Sequence, residues 1–270
     1  MSSIHNAALD LKRLDLLADG DSLVHRLDAR AKVLVTIFFI ISVVSFEKHE
    51  LGALLPYFVF PAVMLALSDL PLLYIIKKIA LICPFVLAVG IFNPIIEREI
   101  IISIGPFGIS GGWLSFYSII VRSILTVGAG FILVGTTGFT AVCQTLQRLG
   151  MPRVFAMQLL FLYRYIFVLT EEGNRVSRAR EMRSFGKRGL GVKSFGSMLG
   201  HLLLRTWQRA ERIHLSMLTR GFTGEFHTRR TKIFGVREFT FVTGWSVIFL
   251  LFRWYNVPRI LGNLMPDVFQ

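Results

Sequence analysis

Arginine dominates the reactive chemistry available to this sequence. Between Glu172 and Lys232 there are fourteen Lys and Arg and four acids, so this stretch carries +10 of the chain's formal +13. A guanidinium is a fixed positive fork with five donors; it docks onto carboxylates, phosphates or carbonyls and does not shuttle protons. The residues of other chemistries are not arranged for use. Gly186-Lys187-Arg188 lacks both the spacing and the hydroxyl of a phosphate-binding loop, so the chain itself is not expected to hydrolyse nucleotide. The six histidines, His5, His25, His49, His201, His214 and His227, are not at ligand spacing from one another or from a cysteine. Cys83 and Cys143 lie in or beside apolar runs, with neither a metal spacing nor a disulfide expected. No nucleophile and base are placed together, so catalysis in this chain is not expected. Arg122 and Arg164 interrupt apolar runs and are the charges placed at membrane depth. An arginine there must face protein or water. Arg122 reads equally as a helix-interface clamp or part of a substrate route, and as a snorkelling side chain.

The elements that must position the basic residues are helical. Leu199 to Phe222 holds no proline and is rich in helix formers. At about 100° per residue, Arg205, Arg209, Arg212 and Arg220 fall within roughly 80° of one another, beside an apolar arc of Leu199, Leu203, Ala210, Ile213 and Met217. Gly221 offers a stop, with Arg220 at the negative end of the helix dipole. An earlier helix running to about Phe185 carries Arg175, Arg178, Arg180 and Arg183, and Gly186, Gly189 and Gly191 separate the two. Three readings account for the charge: retention of basic loops in the cytoplasm, adhesion to anionic lipid, or docking onto an acidic partner. Nucleic acid is not expected, because aromatic residues do not interleave with the stripe apart from Trp207. If the stripe serves only insertion or lipid contact, reversing Arg205 or Arg230 should be mild.

Composition places these helices at a bilayer. The hydrophobic fraction is 53% and the mean hydropathy is +0.60, too apolar for an ordinary soluble domain. The first 22 residues are polar and mixed in charge, so no leader is expected to be removed. Apolar runs follow at Val33–Phe46, Leu51–Leu67, Ile79–Ile96, Trp113–Gly135, Val154–Leu169 and Phe239–Phe252. The first is short for a span of about 20 residues, and a snorkelling Lys32 is expected to extend it. Glu47 to Glu50 makes a tight helical hairpin. Gly105 to Gly112 reads as a short hairpin or a re-entrant piece. Lys12, Arg13, Arg26, Arg30 and Lys32 place the N-terminus in the cytoplasm. If Val154–Leu169 crossed, the basic segment would lie outside, so that run is expected at the cytoplasmic edge. The expectation is an all-α polytopic membrane protein of about five spans and two cytoplasmic amphipathic helices. Its regions are residues 1–30 (interfacial), 31–137 (four spans), 138–235 (basic, cytoplasmic) and 236–270 (last span and an external tail).

Several short stretches resemble one family. They are His25-Arg-Leu-Asp-Ala-Arg-Ala-Lys32, Gly135-Thr-Thr-Gly-Phe-Thr140, Leu146-Gln-Arg-Leu-Gly-Met-Pro152, Tyr163-Arg-Tyr165 with Glu171-Glu172, and, most specific, the run from Arg209 to Phe222. Over roughly residues 22–252 the chain resembles the CbiQ/EcfT family, the transmembrane T components of energy-coupling-factor transporters. The resemblance implies two helices whose short x-Arg-x motifs dock into grooves of two ABC-type ATPase subunits. By position the second motif is Thr219-Arg220-Gly221 and the first is Met182-Arg183-Ser184, with Arg180 as the alternative arginine. Both depart from the family's usual Ala-Arg-Gly form. The cobalt branch is nearest, nickel next. No cofactor is then expected in this chain: ATP belongs to the ATPases, and Co²⁺ or Ni²⁺ to a separate, CbiM-like substrate-binding membrane subunit, alongside a small accessory membrane subunit. The competing classes are a conventional permease with its own substrate path and a membrane-embedded enzyme.

Overall fold

The computed structural model describes residues 2–47, 50–96, 100–104, 107–183, 192–222 and 235–254. The described elements are α1 (Ser2–Ala18), α2 (Ala29–Val44), α3 (Leu51–Leu54), a 3₁₀ turn (Leu55–Phe58), α4 (Val59–Ser68), α5 (Leu72–Gly90), α6 (Asn93–Ile96), β1 (Ile100–Ile104), β2 (Phe107–Ser110), α7 (Gly111–Thr137), α8 (Phe139–Arg148), α9 (Arg153–Arg183), α10 (Val192–Thr219) and α11 (Val236–Trp254). The fold is helical, as expected. The glycine-rich connection is an antiparallel hairpin pairing Ile104 with Phe107 and Ile102 with Ile109. The chain forms two compact units, one of Met1–Leu14 with Phe139–Thr231 and one of Asp15–Gly138 with Lys232–Gln270.

In the second unit α7 is the spine, contacted by α2, α3, α4 and α5. The core is aromatic. Phe39, Tyr57, Phe60 and Phe249 are almost fully buried, with ring centroids 4.6–6.0 Å apart. The Tyr57 hydroxyl donates to the Phe249 carbonyl at 3.1 Å, which satisfies the one polar atom such a core would otherwise leave bare. Pro56 begins the 3₁₀ turn, and with Pro61 it keeps Leu51–Ser68 from being one regular α-helix.

Directions follow from named contacts. Phe249 of α11 stacks on Phe38 of α2 at 6.1 Å, and Arg253 donates to the Ser45 carbonyl at 3.1 Å, so α2 and α11 run the same way. Lys32 of α2 reaches the Thr136 carbonyl of α7, and Arg122 of α7 donates to the Glu47 carbonyl, so α7 runs oppositely. The start of α2, the end of α7 and the start of α11 therefore share one end of this unit.

One expectation is corrected and two are refined. Lys32 does not snorkel: it is 2% exposed, and its ammonium donates to Thr136 O at 2.7 Å. Two of the five expected spans fall short of a free-standing one. α2 has 16 residues, about 24 Å of helix against roughly 30 Å of hydrocarbon, and α11 carries Arg237, Glu238 and Arg253. Both pack along the core of this unit, α11 through the buried Phe249. Finally, Val154–Leu169 and the first basic helix are one continuous α9 of 31 residues. Among the described residues, four helices are long and apolar enough to cross a membrane: Leu51–Ser68, Leu72–Gly90, Gly111–Thr137 and Arg153–Arg180.

Candidate functional site

The basic residues are carried by α9 and α10 of the first unit. α9 begins after a helix stop. The Gly150 N–H bonds Gln147 O at 3.4 Å and the Met151 N–H bonds Leu146 O at 3.0 Å, with Gly150 at φ +114°. This is a Schellman cap, which needs a residue free to adopt positive φ. Pro152 then starts α9. Tyr163 is buried, its ring stacked on Phe139 of α8 at 4.6 Å.

α10 closes with the same device. The Gly221 N–H bonds Leu218 O at 3.0 Å and the Phe222 N–H bonds Met217 O at 3.0 Å, with Gly221 at φ +76°. Thr219-Arg220-Gly221 is thus a helix terminus, with the exposed Arg220 at the cap, where a cation complements the negative end of the dipole. Thr219 Oγ1 donates to Ser216 O at 3.0 Å. Arg183 is the last residue of α9, Met182 beside it is exposed, and Ser184 lies outside the described residues. Arg180 is half-buried, and its Nη1 is buried without a hydrogen-bond partner among the described residues. Arg164 is exposed on α9.

The two helices meet at Glu172. Its Oε1 accepts from Arg205 Nη1 at 2.9 Å, and its Oε2 lies 3.9 Å from Arg175 Nε. Beside this pair runs a groove of about 310 Å³ lined by Tyr165, Val168 and Leu169 on α9 and Leu203, Thr206, Trp207, Arg209, Ala210 and Ile213 on α10. Falling numbers on α9 match rising numbers on α10, so the helices are antiparallel. Arg183 is 11 residues beyond Glu172, and Arg220 is 15 beyond Arg205 in the opposite direction. At 1.5 Å per residue the two motif arginines are separated by about 39 Å of helix. α10 also bears an exposed apolar face of Leu203, Leu204, Trp207, Leu215 and Leu218.

Sequence reading missed the Glu172–Arg205 tie, although an acid in a basic run was its signal. Arg205 is consequently not a neutral control for charge reversal. Arg230 lies outside the described residues. Arg212, which donates to Gln208 O of its own helix at 3.2 Å, is the better one. Among the described residues no three His, Cys, Asp or Glu side chains converge to hold a metal.

The family model for CbiQ, cobalt transport protein, matches residues 20–233. The chain belongs to the CbiQ family. It is 29% identical over 232 residues to the energy-coupling factor transporter transmembrane protein EcfT of Bacillus subtilis, covering 79% of this chain and 86% of that one. It is 31% identical over 107 residues to a protein of Methanocorpusculum labreanum named as a fused cobalt transport protein, CbiMQ, covering 39% of this chain and 18% of that one. An uncharacterized Methanocaldococcus jannaschii protein is 31% identical over 112 residues, and the match spans 41% of each chain. The CbiQ-like stretches of the sequence have local structural reasons. Asp28 caps α2 by accepting from the Arg30 N–H at 2.8 Å, Lys32 joins Thr136 of the second stretch, and two others are glycine caps.

Proposed function

We propose that this chain is the non-catalytic transmembrane coupling subunit of an ATP-driven metal-ion importer, with cobalt the first expectation for the cargo and nickel the second. It sits in the cytoplasmic membrane of a prokaryote, with the basic segment facing the cytoplasm. Two ABC-type ATPase subunits dock on it, one at Arg183 (or Arg180) and one at Arg220. A CbiM-like substrate-binding membrane subunit, with a small accessory membrane subunit, receives the motion. The exposed apolar face of α10 is a surface such a membrane partner would cover.

The observation that carries this reading is the placement of the two motif arginines at opposite ends of one antiparallel helix pair. With about 39 Å of helix between them, a single groove cannot hold both. Two separate ATPases can each take one, and their approach on binding ATP would then push on the two ends of a single lever.

The test is co-purification of the ATPases and uptake of Co²⁺ and Ni²⁺ for Arg183→Glu, Arg220→Glu and Arg212→Glu. Losing one partner of a buried interfacial charge pair costs about 2–5 kcal/mol, or roughly 30- to several-thousand-fold in affinity. The first two variants should release ATPase and stop transport, and the third should do neither. If all three fail alike, bulk charge is the better account.

A further inference from the structure

Glu171-Glu172 is a stretch that ATPase docking leaves without a role, and the two acids differ. The Glu171 side chain is 73% exposed and pairs with Arg175 on its own helix, while that of Glu172 is 23% exposed and reaches across to α10. Tyr165, Val168 or Leu169, and Glu172 recur at helical spacing on the side of α9 that faces α10. The rest of that seam is the groove of about 310 Å³, apolar apart from Thr206 and Arg209. A seam with such a void forfeits the close contacts that fix a packing angle. Among the described residues, the bond from Arg205, 67% exposed, to the Glu172 carboxylate is a side-chain hydrogen bond across this seam that can.

We propose that Glu172 and Arg205 are positioning residues, a pin that sets the angle between α9 and α10 and so keeps the two ATPase-docking arginines moving as one lever. This rests on the coupling function proposed above and adds to it the residues that make the lever stiff. The arms are about 16 Å on α9, from Glu172 to Arg183, and about 22 Å on α10, from Arg205 to Arg220, at 1.5 Å per residue. A change of about 10° at the pin displaces Arg220 by about 4 Å over an arm of that length, more than a hydrogen bond tolerates. A lever with a loose pin lets the ATPases close without moving the membrane subunit.

The experiment uses the whole importer in proteoliposomes. The variants are Glu172→Gln, Arg205→Gln and the exchange Glu172→Arg with Arg205→Glu, with Arg212→Gln as the control. Three quantities are read: ATPase co-purification, metal taken up per ATP hydrolysed, and the distance distribution between spin labels at Arg178→Cys and Leu215→Cys in a background of Cys83→Ser and Cys143→Ala. The single variants should keep their ATPases within twofold, lose threefold or more in uptake per ATP, and broaden the distance distribution. The exchange should restore at least half of the coupling and narrow the distribution, because the opposite charges are back across the same seam. Unchanged uptake per ATP in the single variants, an unchanged distribution, or no rescue by the exchange overturns the pin. So does loss of the ATPases from the single variants, which would make the pair part of the docking site. If the single variants do not accumulate in membranes, the exchange decides alone: a coupled exchange variant supports the pin and an uncoupled one overturns it. Failure of the coupling function itself is read elsewhere, as ATPases retained by Arg220→Glu.

Discussion

Lys32→Met tests the second unit at the end where the basic segment leaves it. The ammonium is buried, 2% exposed, and donates to Thr136 O at 2.7 Å. That carbonyl is in the last turn of α7, where carbonyls lack intrahelical partners and the dipole is negative. Two effects oppose each other. Removing a hydrogen bond from a charged donor costs about 1.5–3 kcal/mol, whereas taking a charge out of the interior can be neutral or even stabilising. Met conserves most of the volume, so cavity formation does not confuse the comparison. The bond should win, because it answers both an orphan carbonyl and a dipole. At about 2–4 °C per kcal/mol for a unit of 150–250 residues, Tm should fall by about 3–12 °C. The assay is thermal unfolding in detergent followed by tryptophan fluorescence, with Lys77→Met, at an exposed site on α5, as the control. An unchanged or raised Tm for Lys32→Met would mean that burying the ammonium costs more than the Thr136 bond returns, and would refute the argument.

Tyr57→Phe should lower stability by about 0.5–1.5 kcal/mol, the net worth of one neutral hydrogen bond, in the same unfolding assay; a larger loss would show that the hydroxyl does more than meet Phe249 O. Gly221→Ala should weaken ATPase co-purification although nothing lies within 4 Å of an added Cβ, because φ +76° costs a non-glycine residue about 1–2 kcal/mol. Gly221→Asn should be milder, and equal behaviour of the two variants would remove backbone strain as the cause. Cysteines introduced at Arg153 and Arg178 of intact membranes should react with an impermeant maleimide from the same face, the one that labels a cysteine at Arg26; labelling of the first two from opposite faces would show that α9 crosses. Native Cys143, 1% exposed and with burial pushing its thiol pKa up, should contribute little background at pH 7.

Helix content, the α10 stop and the basic stripe were legible in the sequence because each is local: periodicity, a glycine after the last apolar position, and charge are properties of neighbouring residues. What escaped is non-local. Lys32 and Thr136 are 104 residues apart, and nothing in the sequence of α2 says that its lysine finds a carbonyl rather than water. Arg205 reads as one more member of the stripe until Glu172, 33 residues earlier, is brought against it. Arg122 shows the same limit, since a clamp and a snorkelling side chain have the same sequence. Its donation to Glu47 O, together with Arg253 donating to Ser45 O and lying 4.4 Å from the Phe46 ring centroid, ties α7 and α11 to the α2–α3 turn. The start of the first basic helix was not legible, because the sequence changes from apolar to basic within one continuous α9. Helix propensity does not register that change, and Thr170, a residue that could cap a helix start, instead donates its hydroxyl to Ile166 O at 2.7 Å within the helix.

The length of α9 and the direction of the second unit give different counts of crossings, and magnitudes decide between them. By length and composition Arg153–Arg180 can span a bilayer. Yet the end of α7 and the start of α11 lie at the same end of the second unit, fixed by the Lys32–Thr136 bond and by the pairing of α2 with α11. Whatever lies between Gly138 and Gly235 must leave and return on one side, so a crossing by α9 requires a second crossing back. Only α10 is long enough among the described elements of that segment. Its central turns hold Arg205, Arg209 and Arg212, all exposed, with Glu211 among them. Even on the insertion scale that is most lenient to charge, each such residue costs about 2.5–3.5 kcal/mol at the middle of a bilayer, so three arginines alone set about 8–10 kcal/mol against the return. Arg164, exposed midway along that half, adds to the cost of crossing. The exposed arginines of α10 therefore weigh against a return crossing, and with it against a crossing by α9.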